Sequence, residues 1–276
     1  MGDFRMGFDV VGASYGSLPG VVVKLPPFSD DPAAPGTLRA AYVNGKKPGK
    51  FCPDPLGRVL MSRFDWSGRG QHIAKFGRSA IIKDYWFECA VSTSMPTTPF
   101  TANSLINGDP ATGFTLVAFV QADVTAKSIN LIRAIEGTSP NSKVAALILQ
   151  PQNLGGRILA SATNLTATSA ADLNPLTNEL GQVSMYAARF TTTERQSFAK
   201  APGESVRSSS VDGTDVTLES AAQFLIGLES GSGPGINRIL GYAFYRGQKS
   251  TGFLEDLVHP QFAGFHAAIG SGLAIT

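Results

Sequence analysis

The chain has 276 residues, 43% hydrophobic and 16% charged, with a formal net charge of +2. That is long enough to bury a sizeable core and too apolar for a disordered chain. The near-neutral charge gives no reason by itself to expect a polyanionic partner such as nucleic acid.

In chain order, the start MGDFRMGFDV has neither the basic nor the apolar region of a secretory signal. No later run approaches the roughly 18–20 apolar residues of a membrane-spanning helix. The expectation is a chain made in a cytoplasm, with no membrane insertion. Met1–Gly20 holds five glycines and no clean periodicity. Val21–Leu25 reads as a short strand. Seven prolines between Pro26 and Pro55 forbid long helices and most central strands there. Thr37–Val43 is the strand candidate in that region, ending at an Asn44-Gly45 turn. Residues 1–78 therefore read as an irregular, extended N-terminal arm, with Arg58–Phe64 and Ile73–Phe76 as further short strands. Lys46–Lys83 carries nine Lys or Arg against Asp54 and Asp65. Two readings stand: a phosphate-binding patch with stacking from Phe51, Phe64, Trp66 and Phe76, or a solvated or inter-subunit surface. The second is favoured, because the charges are dispersed and no nucleic-acid motif frames them. Cys52 and Cys89 are too few for a disulfide framework and read as free thiols.

Ser79–Val91, with Tyr85, Trp86 and Phe87, reads as the first strand of the main domain, and Met95–Asp109 as a loop. Strand character then recurs at Phe114–Val120, Ser128–Ile135, Lys143–Gln150, Gly156–Ala162, Gly181–Phe190 and Gln196–Lys200, with Ser205–Ser210 as a hairpin partner. Turn residues between nearly all of them, at spacings near ten residues, point to a sandwich rather than βαβ units. In Phe114–Val120 both alternating rows are partly apolar, as a strand packed on two sides requires. Gln223–Gly227 is a strand ending at a glycine, and Glu229–Asn237 is a glycine-rich turn. In Ile239–Arg246, Leu240, Tyr242 and Phe244 share one face. Ser250 or Thr251 caps a helical turn or two that Pro260 ends. His259–Thr276 is a nearly uncharged tail that needs cover, from the sandwich or, favoured slightly, from a neighbouring subunit.

The run QFLIGLESGSGPGINRILGYAFYRGQKSTGFLEDLV resembles the last part of a concanavalin A-like lectin, or laminin-G-like, jelly roll. GQVSMYAARFTTTER resembles an earlier strand and turn of the same family, with Tyr186, Ala187 and Phe190 in its pattern. The resemblance implies an all-β, antiparallel two-sheet jelly roll over residues 79–258. LGYAFYRGQKSTGFLEDLV looks most like the forms in bacteriophage tail and virion proteins.

The residues call for no catalytic centre. No alternating carboxylates suit glycan hydrolysis. His72, His259 and His266 have no metal-ligand spacing. Gly231-Ser232-Gly233 is a turn rather than a nucleophile elbow. No cofactor is called for. The resemblance adds calcium as an option, since several such sandwiches hold it at one rim, and Asn107, Asp109 and Asp123 lie in suitable loops. It also implies recognition by rim loops, with Asn107, Asp109, Asp123, Asn174 and Asn237 as ligand-binding candidates. The expected function is a non-enzymatic virion structural protein, of tail, baseplate or fibre, that binds a host-surface glycan. The alternatives are a capsid or tail assembly protein with no receptor and, behind it, a glycan-degrading enzyme. Other virion proteins and a homo-oligomer, a trimer among the options, complete the expected partners.

Overall fold

The computed structural model describes residues 26–44, 65–73, 81–83, 85–89, 96–137, 143–153, 155–161, 170–176, 178–212 and 220–275. Among these, two antiparallel sheets face each other. The larger, eight-stranded sheet runs in the order β12 (Arg207–Asp212), β11 (Glu194–Lys200), β10 (Val183–Phe190), β5 (Phe114–Ala122), β14 (Asn237–Arg246), β3 (Phe87–Glu88) and β2 (Ile81–Ile82). β1 (Leu38–Val43) also pairs with β14. The smaller, six-stranded sheet runs β4 (Thr97–Thr101), β13 (Gln223–Ser230), β6 (Ser128–Glu136), β7 (Lys143–Gln150), β8 (Arg157–Ser161) and β9 (Ala170–Leu173). This is the two-sheet sandwich that the alternation and the resemblance implied.

The two rows of β5 do what their sequence requires. Phe114, Leu116, Ala118 and Val120 join Leu147, Leu149 and Ile226 of the smaller sheet in the core between the layers. Val117 and Phe119 point the other way, into a second core on the outer face of the larger sheet. Full burial of each large apolar side chain contributes about 1.5–3 kcal/mol, so a strand apolar on both faces becomes the centre of the fold. In β14 the alternation misleads by one residue. The pairing with β5 slips between Ile239 and Gly241. That bulge turns Leu240 outward with Ala243 and Tyr245, and leaves Ile239 inside with Tyr242 and Phe244. Gly227 does not end its strand either. It takes φ 75° within β13, where a Cβ would stand 2.8 Å from the Phe87 ring.

The C-terminal region departs most from expectation. The Ser250 hydroxyl accepts a hydrogen bond from the Phe253 N–H at 3.1 Å and starts the helix. The helix then runs through Thr251–Phe253, a π-helical stretch at Leu254–Val258, and His259–Ala268. Pro260 therefore lies within it instead of stopping it. The wider π turn just before it accommodates the proline, which lacks an N–H and would crowd an ordinary α turn. The tail assigned to a neighbouring subunit covers its own sheet. Phe262 stacks on Phe119 with centroids 3.8 Å apart and planes 10° from parallel. Phe265 meets Trp66 edge-on at 5.7 Å. Gly241 makes this approach possible, since a Cβ there would lie 2.6 Å from the Phe262 ring.

The expected N-terminal arm is likewise not separate at β1, which pairs with β14 from Leu38 opposite Tyr245 to Val43 opposite Gly241. The Asp30 carboxylate receives the N–H groups of Thr37 at 3.0 Å and Leu38 at 2.8 Å, which sets the entry to β1. Burial works to raise the Asp30 pKa, but the N–H groups of Leu38, Gly36 and Asp31 outweigh it and hold the group below its usual range. The buried Lys249 ammonium, 2.7 Å from Asp31 Oδ2 and from Thr37 Oγ1, ties this turn to the end of β14. The Met95–Asp109 segment is more than a loop. It holds β4 and a short helix α1 (Ala102–Leu105), in which Thr101 and Ser104 cap each other. Met1–Gly20, Val21–Leu25, Gly45, Cys52 and Arg58–Phe64 lie outside the described residues, as does the Ile73–Phe76 strand beyond Ile73. Cys89 is a free thiol.

Candidate functional site

Strand register divides the loops between two ends. Ala122 lies opposite Asn237, Gln121 opposite Val183, Ser128 opposite Ser230 and Gln150 opposite Arg157. The loops after β5, β7, β9 and β13 therefore gather at one end, here the Asp123 rim. Phe114 lies opposite both Phe190 and Arg246, and Gln223 opposite Thr101. The segment with α1 and the end of β14 therefore belong to the other end, the Arg246 rim. The five ligand-binding candidates expected on rim loops are split between the two, Asn107 and Asp109 at the Arg246 rim and Asp123, Asn174 and Asn237 at the other.

At the Asp123 rim several charged and amide groups are tied to protein partners, although the buried Asn237 Oδ1 has none among the described residues. Asp123 Oδ2 accepts from the Ile236 N–H at 2.9 Å, and Oδ1 accepts from Arg238 Nη1 at 3.1 Å. Asn237 is fully buried. Its Nδ2 donates to the Lys127 carbonyl at 3.0 Å and to Glu229 Oε1 at 2.8 Å, so it is an internal strut with no surface to offer a ligand. Burial raises the Glu229 pKa, while Asn237 and Lys127 act to lower it. Gln152 Nε2 donates to the carbonyls of Thr125 at 2.6 Å and Ser232 at 3.2 Å, joining three loops. Buried Glu179 accepts from Arg207 Nε at 3.0 Å. Asn174 is exposed just after β9.

Asn107 and Asp109 stand at the Arg246 rim, both exposed. Asp109 caps the turn Pro110–Thr112, accepting from the Ala111 N–H at 3.0 Å and the Thr112 hydroxyl at 3.0 Å. With Asp123 at the far end, the three residues considered for calcium do not form one ligand set. Among the described residues no group of three or more His, Cys, Asp or Glu is placed to hold a metal ion.

The Arg246 rim holds a cleft of about 450 Å³ that opens where the sheets part. Arg39 of β1, with Arg69 and Gln71 of the following loop, lines one side. Phe100 and Thr101 of β4 and Ser104 of α1 line the other. The loop is held in place by the buried Asp65 carboxylate, whose Oδ1 accepts from the N–H groups of Ala41 at 3.0 Å and Ser67 at 2.9 Å. Its Oδ2 accepts from the Gln71 N–H at 2.9 Å. The Tyr42 hydroxyl donates to the Gln71 carbonyl. Arg69 Nε donates to the Leu38 carbonyl at 2.5 Å. Burial lowers the Arg39 pKa, and the Arg69 and Arg246 guanidiniums nearby lower it further. Arg246 Nε is buried without a hydrogen-bond partner. Among the described residues no carboxylate forms an ion pair with any of these three arginines.

No protein-family profile and no curated protein matches the sequence. Solved structures do match in shape. The receptor binding domain of botulinum neurotoxin D superposes with a TM-score of 0.53 at 11% identity, covering 82% of this chain and 53% of that one. The botulinum neurotoxin serotype D/C binding domain gives 0.53 at 10% identity, over 82% and 52%. The chain thus spans about half the length of these solved chains. The likeness supports the two-sheet β-sandwich and speaks to fold alone.

Of the cleft residues, Phe100, Thr101 and Ser104 fall in the segment expected as the loop Met95–Asp109, and Arg69 and Gln71 fall in the basic stretch assigned to a plain surface. The usable signal was the imbalance of that stretch. The other two arginines lie in strands far away in sequence, where neither carries a mark of its own.

Proposed function

We propose that this chain is a non-catalytic recognition module that binds a host-surface glycan through the Arg246 rim, as an adhesion or structural protein of a bacteriophage virion. The observation that carries the binding reading is the cleft. Its size is in the range of small-molecule sites, and it combines an aromatic ring with convergent donors. The fold likeness fits recognition, since one toxin chain of similar fold is a receptor binding domain and the other a binding domain. The virion setting rests on the resemblance of LGYAFYRGQKSTGFLEDLV. The homo-oligomer expected from an uncovered tail loses its main ground, because the helix covers that tail within the chain.

The test is a glycan array and host-cell binding with the purified chain, beside Phe100→Ala and Asp123→Ala variants. Saturable binding that Phe100→Ala weakens and Asp123→Ala spares is the expected result. Binding that depends on Asp123 and ignores Phe100 moves the site to the other end. Silence on array and cells, with tight binding to virions, leaves an assembly role in its place.

A further inference from the structure

We propose that the cleft selects an acidic sugar, one bearing a carboxylate, sulfate or phosphate group, and that Arg39 and Arg69, which line it, hold the anionic group. This rests on the recognition reading above and narrows it to a ligand class.

The argument is one of missing countercharge. Two guanidiniums, Arg39 and Arg69, line one cleft, and a third, Arg246, stands near enough to Arg39 to help lower its pKa. Like charges gathered in a partly buried site oppose folding. Several other cations of this chain are answered by an acid. Arg157 lies 3.1 Å from Asp172, Arg189 3.0 Å from Glu194, Arg238 3.1 Å from Asp123 and Lys249 2.7 Å from Asp31. At the cleft the nearby acid is unavailable, because Asp65 is occupied by the N–H groups of Ala41, Ser67 and Gln71. The donors present are those an oxyanion needs: planar, bidentate guanidiniums fixed by neighbouring structure. Arg69 is aimed by its Nε bond to the Leu38 carbonyl, which leaves its Nη groups for a ligand.

The rest of the lining selects a sugar over other anions. Among the described residues the Gln71 side-chain amide has no hydrogen-bond partner, and the Thr101 hydroxyl accepts from the Ser104 N–H at 3.1 Å and keeps its own proton to donate. Both suit ring hydroxyls. Phe100, held edge-on against Phe244 at 5.0 Å, offers an apolar wall for the C–H face of a pyranose. A nucleic-acid strand wants cations spaced along a track. Here they converge on one pocket.

The experiment is titration calorimetry at low salt with sialyllactose, glucuronic acid and galactose 6-sulfate. Lactose, glucose and galactose are the neutral counterparts, and sodium sulfate is the free anion. The expected result is acidic sugars binding at least about tenfold more tightly than their neutral counterparts, with affinity falling as salt rises. Arg69→Gln should lower acidic-sugar affinity by about tenfold or more, while loss of the Nε bond to the Leu38 carbonyl lowers the melting temperature by no more than a few degrees. Arg69→Lys should restore only part of it, as a point charge replaces a fork. Neutral sugars binding as tightly as acidic ones, indifferent to Arg69→Gln, would overturn this proposal and leave glycan recognition standing. Free sulfate matching the acidic sugars would overturn the sugar part. No binding by any sugar here or on the array would remove the recognition reading too.

Discussion

The two ends of the sandwich are built from the same kinds of residue and treat charge in opposite ways. At the Asp123 rim, Arg238, Lys127 and Arg207 each meet an acid, and Asn237 stitches the underside together. At the Arg246 rim two arginines line one opening, Arg246 stands near Arg39, and none of the three meets an acid among the described residues. A rim whose bonds are closed internally holds its loops still. A rim whose donors are left open carries a local electrostatic cost that a bound anion would offset.

The largest expected effect belongs to neither rim and fixes the conditions for comparing them. His259 and His266 are both held down to about 4, mainly by burial. Lys200 lowers His259 further, and Glu255 opposes that. An unfolded histidine takes its proton near 6.5, so the unfolded chain binds more protons between about 6.5 and 4. The stability from keeping these rings neutral is full above that window and lost as pH falls through it, by up to about 3 kcal/mol for each ring. Urea unfolding from pH ~7.5 down to ~5 should show a steep loss. A flat profile would mean the helix does not bury these rings, and rim variants are best compared above the window.

Asn237→Ala should come next, at about 2–3 kcal/mol, because it strips a donor from the buried Glu229 carboxylate and leaves the Lys127 carbonyl open. Denaturant midpoints measure it, and a loss under about 0.5 kcal/mol would deny that this rim is internally braced. Glu179→Ala is expected to cost about 2 kcal/mol, less than a fully buried pair, since Arg207 is 36% exposed and can turn to water. The smallest effect separates the rims most cleanly. Arg39→Ala removes a like charge from the cleft and should change the unfolding midpoint by no more than about 0.5 kcal/mol in either direction. A loss comparable to that of Asn237→Ala would mean the arginines brace the fold.

The strands were legible because their signals are local. β5, β6, β7, β8, β10 and β11 stand close to where alternation and turn residues place them. β9 was read as loop, since four residues, Ala170–Leu173, are too few to establish a period. The two faces of β14 were misassigned because a bulge is a property of the pairing, which one strand's sequence does not contain. The C-terminal helix was hidden by Pro260, a stop signal that a π turn overrides. The cleft was the least legible part. Arg39, Arg69 and Arg246 sit on three separate segments, and only the placement of β1 against β14 brings the first and last together.

That placement has one more consequence. The flank of β14 away from β5 is tiled end to end by two unrelated pieces, β3 along Arg238 and Ile239 and β1 from Gly241 to Tyr245. A recombinant fragment trimmed to residues 79–258 would lose the upstream tile and bare a row of amide and carbonyl groups already aligned for a partner. Such a fragment is expected to zip onto further copies of itself and precipitate as ribbons, whereas the full chain stays dispersed.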